Sequence, residues 1–517
     1  MSTSGINSLL SALNPTTNES LAELLGESST SSATNSSTSS AIQDAVNAIL
    51  NSATNTAGSG IDVTSTVDAI LQIDAQPEVH LQNQVTALNT QTTALQSMET
   101  DLASLQTAVQ ALTDPTGAFS SVTVNSSNNG VVSAVVANGT AAGSHTIVVN
   151  SLATTSAEYS APQASATSTL PTGTLEIQVG SNTAVPITVG TAGTTDNLSN
   201  LANYINHQNI GVTASAITDA SGARLSLVSQ TSGTAGDLTI TDNTGTSGNA
   251  MGFTAATQNV NGTLTPLGTD ASLTVDGIPI TSGSNKLTGV IPGATLTLSG
   301  VSTSPVTLDI QPDLTQVSTA INNFISAYNQ VMTDINTQNT FSGTGTPPPL
   351  LGDPSLDLLQ SQLLNGITTS LSGNNGLVNL QSIGIHVQQD GTLTTTANSP
   401  PDSIDLNTAL ANNFSAVQYL FQSASSSSPG VAQALNTALT ALTDPTNGPL
   451  NLDMSGITSQ VADLNTQITN FQYQLQQTQA QLTAEYDTIN TTLEQLPETL
   501  ASINSQLNAL KPPNTTT

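Results

Sequence analysis

The sequence predicts an α+β multidomain protein: terminal helices pairing as an antiparallel coiled coil, a helical and β body, and inserted antiparallel β-rich domains. Three observations carry this. Apolar residues recur at spacings of three and four near both ends, the seam pattern of paired helices. The middle alternates apolar and polar residues in short runs bounded by Gly, Pro, Asn and Asp, the mark of antiparallel strands and turns. The six residues ALTDPT occur twice, beginning at Ala111 and at Ala441. Proline lacks an N–H and disfavours helix in the residue before it, so each copy reads as a helix stop.

Residues 1–58 are rich in Ser, Thr, Asn and Ala and read as a flexible leader. Two apolar patches, at Leu9–Leu10 and at Val46–Leu50, suit isolated helical turns. From about Ser65 to Leu112 the pattern is helical, with a seam of Leu81, Val85, Leu88, Leu95, Met98, Leu102, Leu105, Val109 and Leu112. The first ALTDPT ends this arm, expected over 59–112.

Between about Ser120 and Ile310, the runs VVSAVV, HTIVVN, TLEIQV, PITV, RLSLVS, DLTIT, SLTV and TLTL read as strands. One helix, DNLSNLANYINHQN, interrupts them, with Asp196 as its expected N-cap. After Pro312 a helix carries Val317, Ile321, Phe324, Ile325, Tyr328, Val331 and Ile335 on one side. A Pro-Gly break, a further helix, the hairpin LQSIGIHVQQDGTLTTT and the helix PGVAQALNTALTAL lead into the second ALTDPT. The expected body is therefore 113–158 with 311–450, and the β insert 159–310.

The C-terminal arm, 451–511, repeats the seam: Ile457, Val461, Leu464, Ile468, Phe471, Leu475, Leu482, Ile489, Leu493, Leu496, Leu500, Ile503, Leu507 and Leu510. Thr478 and Glu485 fill seam slots, a stutter falls near Ile489, and Pro497 is expected to kink or interrupt the helix. Flanking positions are mostly Gln, Asn and Thr, so partner choice rests on apolar shape and amide hydrogen bonds. A short tail, 512–517, follows.

Composition narrows the function. Charged residues make up 7% of 517, and three cations, Arg224, Lys286 and Lys511, face 34 acids for a net charge of −31. No basic patch for nucleic acid or anionic lipid can be assembled from three cations. The absence of cysteine removes disulfides, thiolate metal sites and cysteine nucleophiles. No apolar run is long enough for a membrane span, and MSTSGINSLLSALN lacks the pattern of a cleaved secretion signal. So few charges also predict little self-repulsion in acid.

Several stretches then resemble the flagellar filament cap family, also called hook-associated protein 2 or FliD. The first match runs from GSGIDVTSTVDAIL at Gly58 through ALTDPTGAFSSVTVNSS to AAGSHTIVVNSLATT. The second covers DASLTVDGIPITSGSNKLTGVIPGATLTL, INNFISAYNQVMTDIN, PLLGDP, LQSIGIHVQQDGTL and the C-terminal helix. Between them, about 174–243 resembles the small inserted module of flagellin-related proteins. The resemblance covers most of 58–510. It implies a homo-oligomeric ring, often a pentamer, at the filament tip outside the cell, promoting flagellin folding and polymerisation. Implied partners are flagellin, hook–filament junction proteins, the flagellar export apparatus and its chaperone, with no nucleic acid and no membrane insertion. Another axial component, such as a junction protein or flagellin-like subunit, and a secreted adhesin are the alternatives.

No enzymatic, cofactor or metal site is expected. His80, His145, His207 and His386 lack a second histidine at ligand spacing. Asp270 with Asp276 and Asp237 with Asp242 suit acid–base pairs on paper, but TVDG and TITDN read as turns. The candidate contact residues for assembly are Leu81, Val85, Leu88, Leu95, Leu102 and Leu105 on the first arm. On the second they are Val461, Leu464, Ile468, Phe471, Leu475, Leu482, Leu500, Ile503 and Leu507. Ordinary packing within one chain is the competing explanation for this seam.

Overall fold

The computed structural model describes residues 62–253, 267–395, 404–425 and 428–509. The leader and the tail expected from sequence lie outside them. The chain divides into two compact units. One comprises residues up to Thr100, Thr337–Ser355 and the chain from Thr443; the other comprises Asp101–Asn336 and Leu356–Leu442.

The N-terminal helix expected as one piece is two, α1 (Val63–Asp74) and α2 (Gln76–Thr113). The Asp62 carboxylate caps α1, accepting from Ser65 N at 3.1 Å and Ser65 Oγ at 2.7 Å. Pro77 explains the break at Ala75: its ring requires a first-turn position, so a new helix starts just before it. The first ALTDPT ends α2 as expected. Asp114 then accepts from Thr116 N at 2.8 Å, and Gln422 Nε2 donates to the helix-end carbonyl of Leu112 at 2.7 Å.

The strands are β1 (Val122–Ser126), β2 (Val132–Val136), β3 (Gly143–Ser151), β4 (Thr155–Tyr159), β5 (Gly173–Val179) and β6 (Val185–Val189). Helix α3 (Leu198–His207) follows, then β7 (Val212–Asp219), β8 (Gly222–Ser232) and β9 (Leu238–Thr244). Beyond residue 267 come β10 (Ala271–Val275), β11 (Ile278–Ser282), β12 (Lys286–Thr288), β13 (Ala294–Leu298) and β14 (Val306–Pro312). All the ladders between them are antiparallel. A five-stranded sheet, β1-β14-β3-β10-β11, and a three-stranded one, β12-β13-β2, share a core that includes Val132, Ile147, Val149, Leu273, Leu296 and Leu308. Strands on both sides of residue 158 belong to one sheet domain, because cross-strand pairing joins residues far apart in sequence.

The inserted module proper is β4 to β9. Sheets β6-β5-β9 and β4-β8-β7 enclose Leu175, Ile177, Ile187, Leu225 and Leu227, with Leu201 and Ile205 of α3 packed on them. The cap of α3 is Asn197, whose Oδ1 accepts from Asn200 N at 2.9 Å, and not Asp196 as expected. Asp196 instead holds the preceding turn through Gly193 N at 2.9 Å, a bond that a residue one step outside the helix reaches more easily. Hydrogen bonds tie the module to the sheet domain: Gly233 N to Thr154 O, Thr234 N to Asp270 Oδ1, Gly268 N to Asp237 Oδ1 and Ser232 Oγ to Gly283 O.

Helices return with α4 (Leu314–Asn339), and its seven expected core residues are all buried. α5 (Pro354–Ile367), the short hairpin β15 (His386–Val387) and β16 (Leu393–Thr394), α6 (Leu406–Gln422) and α7 (Val431–Leu442) complete the body. Phe119 packs against Phe414 and Phe421, with ring centroids 6.1 and 5.7 Å apart. The second ALTDPT ends α7, and the Asp444 side chain accepts from Thr446 N, as Asp114 does from Thr116 N in the first copy, and also from Asn447 N. The last helix, α8 (Pro449–Ala509), runs through Pro497 without the expected interruption. The flanking residues are exposed, so the carbonyl that proline leaves unpaired is not forced into an apolar surrounding.

Candidate functional site

The polar residues weighed as catalytic or metal-binding are occupied locally. His80 pairs with Gln84 at 3.1 Å, His145 Nδ1 with Asp276 Oδ2 at 2.8 Å, and His207 Nδ1 with the Asn203 carbonyl at 2.7 Å. His386 sits half-buried in β15. Among the described residues no group of three or more His, Cys, Asp and Glu converges as metal ligands would. The four aspartates instead spend their lone pairs on backbone N–H groups. Asp242 alone accepts from Thr244, Met251 and Gly252 and so folds the loop after β9. Asp276 occupies the tight turn between β10 and β11 and accepts from Thr146 N, and its bond from His145 holds its carboxyl below the usual range.

One carboxyl pair escapes sequence reading. Asp101 on α2 and Asp334 on α4 share a hydrogen bond, and burial, then the bond and charge of Asp334, push the Asp101 carboxyl up to about 6. Nothing in either local sequence marks it, since the partners meet only when the two helices pack. On the same helix the phenol of Tyr328 is fully buried, which drives its pKa up.

The arms hold the features that sequence placed at the centre of assembly. Within the first unit, α2 and α8 lie side by side in opposite directions. Gln472 Nε2 donates to Glu78 Oε1 at 2.6 Å and, at the other end, Asn451 Nδ2 to Glu99 Oε1 at 3.5 Å. Between these contacts runs an open groove lined by Gln84, Leu88, Gln460, Asp463, Leu464 and Gln467. α1 packs on the continuation of α8. Both of these helix-to-helix contacts are amide–carboxylate bonds.

Burial sorts the candidate contact residues into three groups. Leu95, Leu102 and Leu105 are fully buried within the chain, so their packing is internal. Leu81, Val85, Leu88, Val461, Leu464, Ile468, Phe471, Leu475 and Leu482 are half-buried, one side of the seam remaining open to water. Leu500 and Ile503 are exposed, and Leu507 lies in α8 with its side chain outside the described residues. Glu485 does not occupy a seam slot. The half-buried positions step from Leu482 to Tyr486 and Asn490, which puts the stutter earlier than expected and leaves the carboxylate in water. A seam only half covered can accept further apolar surface from another subunit or a filament.

Comparison with known proteins agrees with this architecture. Residues 59–156 match the family model described as flagellar hook-associated protein 2 N-terminus, and residues 268–498 match that of its C-terminus. The stretch between the two matches is mainly the inserted module. The B-type flagellar hook-associated protein 2 of Pseudomonas aeruginosa is 28% identical over 410 residues, spanning 76% of this chain and 84% of that protein. Flagellar hook-associated protein 2 of Aeromonas caviae is 26% identical over 481 residues, spanning 86% and 96%. The crystal structure of the D1-D2-D3 domains of the Escherichia coli flagellar cap protein FliD is similar at a TM-score of 0.53 and 25% identity. The match covers 71% of this chain and 99% of that one. The helical arms, the body and the sheet domain fall within the two matched models, and the chain belongs to the flagellar hook-associated protein 2 family.

Proposed function

We propose that this protein caps the flagellar filament: copies associate as a pentameric ring at the growing tip and promote flagellin folding and insertion beneath them. The observation that supports this most directly is the half-covered seam of α2 and α8, an extended apolar stripe that suits contact with neighbouring subunits and with the filament. Flagellin and the hook–filament junction proteins are the expected partners, reached by export through the flagellar secretion channel with its chaperone. The role is structural and extracellular, with no chemical step. The stretch from Val275 to Gly293, VDG through VIPG, lies inside the matched C-terminal model and favours a cap over another axial component.

Electron microscopy of cells lacking the gene, with assay of the medium for unpolymerised flagellin, tests this. Bare hooks and flagellin lost to the medium are expected. Filaments of normal length would reject the cap role.

A further inference from the structure

The outer face of the three-stranded sheet β12-β13-β2 carries no acid. Side chains alternate between the two faces of a strand, and residues opposite each other on an antiparallel ladder share a face. Leu287, Leu296 and Val132 are buried in the core, so the outer face holds two rows across the sheet, Lys286–Thr297–Ser133 and Thr288–Thr295–Val135. The sequence has no Asp or Glu between Asp114 and Glu158 or between Asp276 and Asp309, the two stretches that supply these strands, although the chain holds 34 acids. Lys286 is exposed, and among the described residues it pairs with no carboxylate. Arg224, by contrast, is held by Asp219, the Ser160 carbonyl and the Tyr159 ring, and Lys511 lies outside the described residues. Val135 is 74% exposed, more than any other large apolar side chain described.

We infer that this face docks a carboxylate-bearing surface of a second copy of the chain, with Lys286 supplying the ion pair and Val135 the apolar anchor. The inference rests on the ring of the proposed function and adds a surface that joins its subunits. Charge complementarity selects the occupant. Copies that each carry a net charge of −31 repel one another. Seating the acids of one copy on the acid-free, cationic face of the next removes that repulsion where the two approach most closely, and it fixes which surfaces meet. The face does not suit its own likeness. A two-fold contact would bring the two Lys286 ammonium groups onto one small face with no acid to pair them. The contact is therefore head to tail, the arrangement that closes into a ring of more than two subunits. The hydroxyls of the four Ser and Thr side chains between Lys286 and Val135 can donate to the same carboxylates.

Carbodiimide coupling of the full chain assembled at filament tips tests the inference, because the reagent condenses an amine with a carboxylate in contact with it, and Lys286 and Lys511 are the only lysines. With isotopically light and heavy chains mixed before assembly, mass spectrometry is expected to find Lys286 joined to an Asp or Glu of the other isotope. Lys286→Glu is expected to weaken association of copies by about tenfold or more in analytical ultracentrifugation, and Lys286→Arg to preserve it. An exposed, unpaired side chain leaves melting unchanged in both variants, which separates lost association from lost folding. Links from Lys286 within one chain only, to flagellin only, or to no residue overturn the inference, as does association of Lys286→Glu equal to that of the wild type. The cap role is tested separately by the deletion strain: bare hooks together with any of these results leave the cap standing and remove this contact.

Discussion

Asp101→Asn isolates the carboxyl pair between α2 and α4. In the folded protein the Asp101 carboxyl is raised from 3.8 to about 6, first by burial and then by Asp334. The native state therefore binds this proton more tightly than the unfolded chain. The stabilisation is complete below about pH 3.8 and is lost as pH rises through about 6. A shift of that size corresponds to at most about 3 kcal/mol between the two limits, and solvent screening at a half-buried site reduces it to about 1–1.5 kcal/mol. Asparagine donates to Asp334 without needing a proton. The variant is expected to be more stable than the wild type by about 1 kcal/mol at pH 7 and equal to it below about pH 3.5, a difference of roughly 2–4 °C in the melting of this unit. Calorimetry of both proteins at the two pH values reads it. A stability difference that does not change with pH, or a wild type more stable at pH 7, would refute the assignment of a shared proton.

The remaining predictions concern packing, turns and acid. Leu105→Ala, at a fully buried position, should cost about 2–4 kcal/mol, whereas Leu88→Ala, half-buried in the open seam, should cost about 1 kcal/mol; denaturant midpoints distinguish them. Ile468→Glu should leave melting of the Asp101–Asn336 unit unchanged while abolishing ring assembly in size-exclusion chromatography, and collapse of both would assign the seam to internal folding. Gly277→Ala meets no atom within 4 Å, so its cost of about 1 kcal/mol comes only from the φ of 81° in the β10–β11 turn. Below about pH 4 stability should fall, because hydrogen bonds from Ser65, Thr116, Gly193, Thr408 and Asn447 hold Asp62, Asp114, Asp196, Asp405 and Asp444 below the usual carboxylate range, and protonation breaks them. This opposes the low self-repulsion expected in acid from composition. A thermal scan from pH 7 to 3 should therefore pass through a maximum, and a monotonic rise to pH 3 would show that self-repulsion dominates.

Much of this protein was legible in its sequence because the signals are local. Two ALTDPT stops end α2 and α7, since proline and an aspartate accepting the next backbone N–H act within a few residues. The seven apolar residues of α4 lie on one buried side, as a period of 3.6 requires. Runs such as TLEIQV and RLSLVS became strands because alternation by itself selects a pleated surface. Tertiary structure decided what depends on pairing between distant segments. It placed β1 and β3 in a sheet with β10, β11 and β14, brought Asp101 to Asp334, and divided one continuous apolar seam into buried, half-buried and exposed parts. Periodicity marks which face of a helix is apolar, but what covers that face depends on elements hundreds of residues away, and no local spacing records it.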